Sequence, residues 1–143
     1  MGITLSDRER RFVALVSEET GATVRDCVVE EDGGRLVFVV APDDMAAAIG
    51  PDGRTVRRLE ERLDREIRLV ADADTPEHFV ANALAPAAVY GVDLVASDEG
   101  GTVARVDVDP DDRGAAIGAG GRNVETARLL AKRHFDVDDV ELG

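Results

Sequence analysis

The chain has 143 residues, enough for one ordinary domain or two very small ones. Hydrophobic residues make up 44% and exclude wholesale disorder, but aromatics are only 3% and Trp is absent, so the core must be built of Val, Leu, Ile and Ala. Thirty acidic residues face 17 basic ones, a formal net charge of −13 whose long-range field repels nucleic acid at low salt.

The first predicted element is a helix. Ser6 is placed to cap it, Glu9 completes a capping box, and Phe12, Leu15 and Val16 form its apolar face until Gly21 stops it. Two β-rich runs follow, residues 23–30 and 35–40, joined by the hairpin turn signal Asp32-Gly33-Gly34. A short helix is expected from Asp43 to Gly50. A second begins near Gly53, with Val56, Leu59 and Leu63 on one face, and a strand spans residues 66–70. The order then repeats. Thr75-Pro76 is a cap and first helical residue; Phe79, Val80, Ala83 and Leu84 supply the apolar face, and Pro86 ends the helix. Strands are expected at 88–96 and 102–108 around Asp98-Glu99-Gly100-Gly101. A helix from Asp111, a glycine loop, a helix from Gly121 and a strand at 137–142 complete the chain.

The repeat is visible in the residues themselves. Pro42-Asp43-Asp44-Met45-Ala46-Ala47-Ala48-Ile49-Gly50 returns as Pro110-Asp111-Asp112-Arg113-Gly114-Ala115-Ala116-Ile117-Gly118, at an offset of 68 residues, and the match continues through Gly53/Gly121, Arg54/Arg122 and Val56/Val124. Each half is therefore α-β-β-α-α-β, an α+β organisation, with the halves at residues 1–73 and 74–143. The linker Asp72-Ala73-Asp74 is so short that the halves are expected to pack as one rigid body.

Ile49-Gly50-Pro51-Asp52-Gly53-Arg54-Thr55-Val56 and Ile117-Gly118-Ala119-Gly120-Gly121-Arg122-Asn123-Val124 both fit I-G-x-x-G-x-x-V. So tight a connection between helices uses glycine's backbone freedom, and the bare glycines let a sugar–phosphate backbone come close. The following helix presents free amides and its positive dipole end to that phosphate, while the flanking Ile and Val would line an aliphatic groove for unpaired bases. The plainer alternative is that the glycines only permit a sharp helix–helix turn; two loops in the same context favour the phosphate-binding reading.

Several segments carry a family resemblance: Thr20-Gly21-Ala22-Thr23-Val24-Arg25-Asp26-Cys27, Phe79-Val80-Ala81-Asn82-Ala83-Leu84-Ala85-Pro86-Ala87, and Val108-Asp109-Pro110-Asp111-Asp112 leading into the second loop. With the two loops, they make the chain resemble, over nearly its whole length, the KH region of NusA-like transcription factors in the short archaeal form that lacks other domains. The resemblance implies tandem type II KH domains, single-stranded RNA as ligand, and a role in transcription elongation or termination. It carries the RNA-binding assignment to Ile49, Gly50, Pro51, Asp52, Gly53, Arg54, Val56 and Arg57, and to Ile117, Gly118, Ala119, Gly120, Gly121, Arg122, Asn123 and Val124. Such loops often hold a lysine at a variable position; here those positions are Pro51-Asp52 and Ala119-Gly120. Asp52 faces phosphate with the wrong charge, which shifts the expected affinity toward the second loop. The alternative function is a protein-interaction module that docks on RNA polymerase and binds RNA weakly.

The remaining features point the same way. No nucleophile–base pair, Walker motif or zinc-ligand spacing is present, so no enzyme, cofactor or metal is expected. Asp43-Asp44 and Asp111-Asp112 follow Pro at helix starts and are read as caps, each worth about 1 kcal/mol. His78 and His134 are read as surface residues, and Cys27, beside Val28 and Val29, as a buried strand thiol in a reducing compartment. Arg58, Arg62 and Arg65 are read as a solvated face paired with Glu60, Glu61 and Asp64 three or four residues away; Arg57 fits that face and a rim of phosphate contacts equally. No apolar run spans a bilayer and no signal peptide is visible, so a monomer in the cytoplasm, without membrane contact, is expected. The acidic surface, with Lys132 its only lysine, fits a protein of salt-loving cells or a domain that docks on a basic partner.

Overall fold

The computed structural model describes residues 3–30 and 34–143 and divides into two compact units, Met1–Asp72 and Ala73–Gly143. In the first unit, α1 (Asp7–Thr20) starts at the expected capping box: Ser6 Oγ accepts from Glu9 N at 3.1 Å, and Glu9 Oε1 accepts from Ser6 N at 2.8 Å. It ends at Gly21, which is left-handed at φ 73° and donates to Ser17 O. Strands β1 (Val24–Val29) and β2 (Leu36–Val40) pair antiparallel. Of the turn expected between them, Asp32 and Gly33 lie outside the described residues. The short helix α2 (Met45–Ile49), the longer α3 (Arg54–Leu63) and β3 (Ile67–Ala71) complete the unit, with β3 parallel to β2.

The helices and the sheet enclose a core of Val16, Ala22, Cys27, Leu36, Phe38, Val40, Ala48, Leu59 and Ile67. Phe12 and Val13 of α1, and Val56 and Leu63 of α3, pack against it, so the inner face of α1 runs through Val13 rather than Leu15. Removing Phe38 from water contributes about 1.5–3 kcal/mol. Cys27 is fully buried, as its strand neighbours suggested.

The second unit repeats the plan with α4 (Pro76–Leu84), β4 (Val89–Ala96), β5 (Thr102–Val108), α5 (Arg113–Ile117), α6 (Arg122–Phe135) and β6 (Asp139–Leu142). Thr75 caps α4 through His78 N, and the expected face of Phe79, Val80, Ala83 and Leu84 is buried. The sheet order is β4–β5–β6, antiparallel then parallel, the same as β1–β2–β3. Phe79 stacks at 5.2 Å on both His134 and Phe135 of α6; His134 is thus half-buried on an aromatic partner, which corrects its reading as a surface residue, while His78 is exposed.

Candidate nucleic-acid interface

Both glycine loops adopt one backbone. Gly50 and Gly118 close α2 and α5, each donating its N–H to the carbonyl four residues back at 2.9 Å. A single tight turn follows, Pro51–Gly53 or Ala119–Gly121, closed by Gly53 N on Gly50 O at 3.1 Å and Gly121 N on Gly118 O at 3.0 Å. The dihedrals match closely: Gly50 at φ 77°, ψ 171° and Gly118 at 79°, 170°; Asp52 at 53°, 27° and Gly120 at 63°, 16°; Gly53 at 75°, 14° and Gly121 at 82°, 8°.

The first glycine of each loop is required twice over. Its φ and ψ lie in a region open essentially to glycine alone. A Cβ on Gly50 would also stand 2.1 Å from Thr55 Oγ1 and 2.8 Å from Thr55 N, and one on Gly118 would stand 2.7 Å from Asn123 Cγ. The side chain five residues on thus lies across the bare glycine. Asn123 adds a tie: its Nδ2 donates to Ala115 O at 2.9 Å, joining the start of α6 to α5.

Neither α3 nor α6 has a side-chain cap; Gly53 and Gly121 stand at their starts. Glycine at the cap position offers no side-chain acceptor, so the starts of these helices, ten and fourteen residues long, present the positive end of each dipole without a cap. Around the first loop, Pro51, Asp52 and Arg54 are exposed, and Arg54 Nη2 lies 3.7 Å from Asp52 Oδ2. Ala119 and Gly120 are exposed in the second loop, and Arg122 and Asn123 are half-buried. Ile49 is 39% exposed and Ile117 half-buried, so both can offer apolar surface. Val124, 6% exposed, anchors α6 in place of the expected groove lining, while half-buried Val56 packs on the first core and anchors α3.

The arginines of α3 also differ from the expected pairing. Arg62 bonds Glu19 of α1, and Arg65, just past the end of the helix, reaches Gly34 O at 3.3 Å with its guanidinium 5.6 Å from the centre of the Phe12 ring. Glu60 accepts from Ile67 N instead of from an arginine. Arg57 and Arg58 are exposed and make no hydrogen bond or ion pair among the described residues, leaving two uncommitted cations one turn beyond the first loop.

The acid pairs before the short helices are not caps. Asp44 Oδ2 accepts from Thr23 N at 2.9 Å, and Asp112 Oδ2 accepts from Ala88 N at 2.8 Å, so each ties the approach to its loop back to the entry of the unit's first strand. The turn before α5 is capped by Asp109, whose Oδ1 accepts from Asp111 N at 2.9 Å. Tyr90 donates its hydroxyl to the other oxygen of Asp109; this holds the Asp109 carboxyl below its ordinary pKa and pushes the phenol up. None of these ties was legible in sequence, because each joins residues 19 to 24 positions apart, save the Asp109–Asp111 cap. Among the described residues no group of three or more His, Cys, Asp or Glu side chains could hold a metal ion, and no helix is long and apolar enough to cross a membrane.

Two α-β-β-α-α-β units, each with a mixed three-stranded sheet and a glycine loop between its last two helices, define a tandem KH protein. The comparisons place it more narrowly. The description of the KH domain matches residues 10–94, and that of the NusA-like second KH domain matches residues 76–142. The chain is 53% identical over 143 residues to the probable transcription termination protein NusA of Halococcus morrhuae, covering 100% of both chains, and 51% identical to that of Halobacterium salinarum, covering 99% of both. Against the transcription termination/antitermination protein NusA of Thermus thermophilus the identity is 33% over 102 residues, 71% of this chain and 26% of that one. A solved structure titled crystal structure of APE1850 superposes with a TM-score of 0.82 at 31% identity, covering 97% of this chain and 100% of that one. The chain belongs to the NusA family, and its likeness to proteins of salt-loving archaea agrees with its acidic surface.

Proposed function

We propose that this protein is a single-stranded RNA-binding factor that acts in transcription elongation and termination, working in the cytoplasm by binding and not by catalysis. One observation carries the reading: a single loop backbone, built from two different sequences, twice places uncapped helix amides beside glycine. RNA phosphate would approach at Gly50–Gly53 and Gly118–Gly121, where no Cβ except those of Pro51, Asp52 and Ala119 stands in the way, and KH modules clamp about four nucleotides in this manner. Ile49 and Ile117 would meet the bases; Arg54, Arg57 and Arg122 would contact phosphate at the rim. Val56, Asn123 and Val124 hold the helices that present these groups. The names of the relatives add a role in transcription termination and antitermination.

The test is photo-crosslinking of the whole chain to 4-thiouridine-labelled single-stranded RNA, followed by mapping of the modified peptides. Crosslinks within residues 49–58 and 117–124 are expected. Crosslinks confined to other surfaces would overturn the assignment.

A further inference from the structure

Strand β4 is an edge of the second sheet, and at eight residues it is the longest of the described strands. Five of its positions, Tyr90, Gly91, Asp93, Leu94 and Ala96, are exposed. Its counterpart β1 has three consecutive buried residues, Asp26, Cys27 and Val28. Both are edge strands, but the residues of the first are largely buried and those of the second largely exposed.

An open edge offers unpaired N–H and C=O groups to any extended chain, and natural sheets blunt such edges with lysine, proline or shortness. Strand β4 contains neither lysine nor proline. Its one irregularity, between the pairs Val89–Val108 and Gly91–Asp107, lies at its very start. Two of the four large hydrophobic side chains exposed among the described residues belong to it, Tyr90 at 65% and Leu94 at 38%. Carboxylates flank the strand: Asp93 on the face opposite Leu94, Asp107 across from Gly91, Asp109 on the Tyr90 hydroxyl, and Asp98 and Glu99 in the turn that follows. The nearest base, Arg105, pairs with Asp93 across the ladder and lies 3.7 Å from Glu141.

We propose that β4 is a docking edge for an extended, basic segment of another protein, which adds as a fourth strand beside Val89–Ala96. Main-chain hydrogen bonds would supply the affinity and alternate side chains the selectivity. The segment's apolar residues would rest on Tyr90 and Leu94, and its arginines or lysines would face Asp93, Asp98 and Glu99. A second copy of this chain is a poor occupant, because two such edges would bring like charges together without a base on either strand. RNA is a poor occupant for the same reason, its phosphates meeting a carboxylate rim. The site shares no residue with the glycine loops.

The experiment uses the whole chain in about 2 M KCl, where diffuse attraction to an acidic protein is screened. The probe is a fluorescent peptide of alternating Arg and Val, compared with a Glu–Val peptide of equal length and with oligouridine. The Arg–Val peptide is expected to bind and to slow amide hydrogen exchange within residues 89–96. Leu94→Lys and, separately, Asp93→Lys are each expected to weaken it about tenfold while leaving oligouridine affinity unchanged. Circular dichroism confirms that each variant is folded, and the exposed Asp93 keeps the test decidable if Leu94→Lys is not. Exchange protection elsewhere, unchanged peptide affinity in both variants, oligouridine protecting the same amides, or a dimer in sedimentation that Leu94→Lys dissolves would each overturn the proposal.

Discussion

The two glycine loops share a backbone and divide their chemistry. At the third loop position the first has Asp52 and the second Gly120, both left-handed. Asp is among the few residues that tolerate this conformation, so the fold accepts the exchange and only the electrostatics change. The first loop places a carboxylate where phosphate would come, yet Arg54 stands 3.7 Å away and Arg57 and Arg58 follow uncommitted. The second has no acid, but its helix spends Arg128 on Glu125, Asp139 and Val140 O, and Lys132 on Asp136 and Asp138. The halves reflect this, with 11 bases against 16 acids in residues 1–72 and 6 against 14 in residues 73–143. The first loop can attract phosphate through Arg54, Arg57 and Arg58; the second, with Arg122 beside it, relies more on amides and close approach.

The largest effect we expect comes from the glycine both loops share. Gly50→Ala should cost about 3 kcal/mol or more in urea unfolding, because the new Cβ would meet backbone as well as side chain and the conformation is hostile to alanine. Gly118→Ala should cost somewhat less, since its nearest approach, 2.7 Å to Asn123 Cγ, is milder than the 2.1 Å to Thr55 Oγ1 at Gly50. Equal losses would show that the dihedrals, not the contacts, set the requirement. Next comes the exchange at the third position. Gly120→Asp should lower affinity for a labelled single-stranded RNA about tenfold, and Asp52→Gly should raise it by a smaller factor, read by fluorescence anisotropy. A larger response from the Asp52 variant would reverse the ranking of the loops.

Salt should separate them further. For the native chain, affinity should hold steady or rise between about 0.2 and 2 M KCl, since screening removes the field of 30 acids and leaves short-range contacts. In the Gly120→Asp variant the remaining affinity rests on Arg54, Arg57 and Arg58 and should fall with salt, because side-chain cations release counterions from phosphate. The smallest effect concerns acid. The Lys132 ammonium, with help from Thr102 N–H, holds Asp138 below its ordinary pKa. That contribution is complete above the unfolded carboxylate range, near pH 4, and is lost as pH falls through the lower folded value. Asp138→Asn should make the acid side of the stability profile slightly shallower.

Sequence reasoning reached the repeat, the order of elements and the helix starts, because the signals at Ser6, Gly21, Thr75 and the glycine loops are local. Strand ends moved by a residue or two: β3 runs Ile67–Ala71 and β6 only Asp139–Leu142, since ladder pairing and not composition sets where a strand stops. Asp44 and Asp112 look like caps in a linear reading because Pro precedes them, but their acceptors serve amides more than twenty residues away. The valines of the two loops read as groove lining by spacing alone; which face of α3 and α6 they occupy depends on the sheet beneath. The exposed arginines of α3 escaped for a similar reason, as Glu60 and Glu19 found partners that helix periodicity does not reveal.

The carboxylates of Asp44 and Asp112 bear on how any ligand is received. Each holds the entrance of its loop to the sheet, while the tight turn is closed across the first glycine and, in the second unit, Asn123 fastens the exit. The loops therefore reach a binding partner with few conformations left to lose. Ordering a residue costs about 1–2 kcal/mol, so most of that entropy must be surrendered by the strand of RNA. Stiffness of the bound strand, through its own stacking, then becomes a source of preference even where no base edge is read.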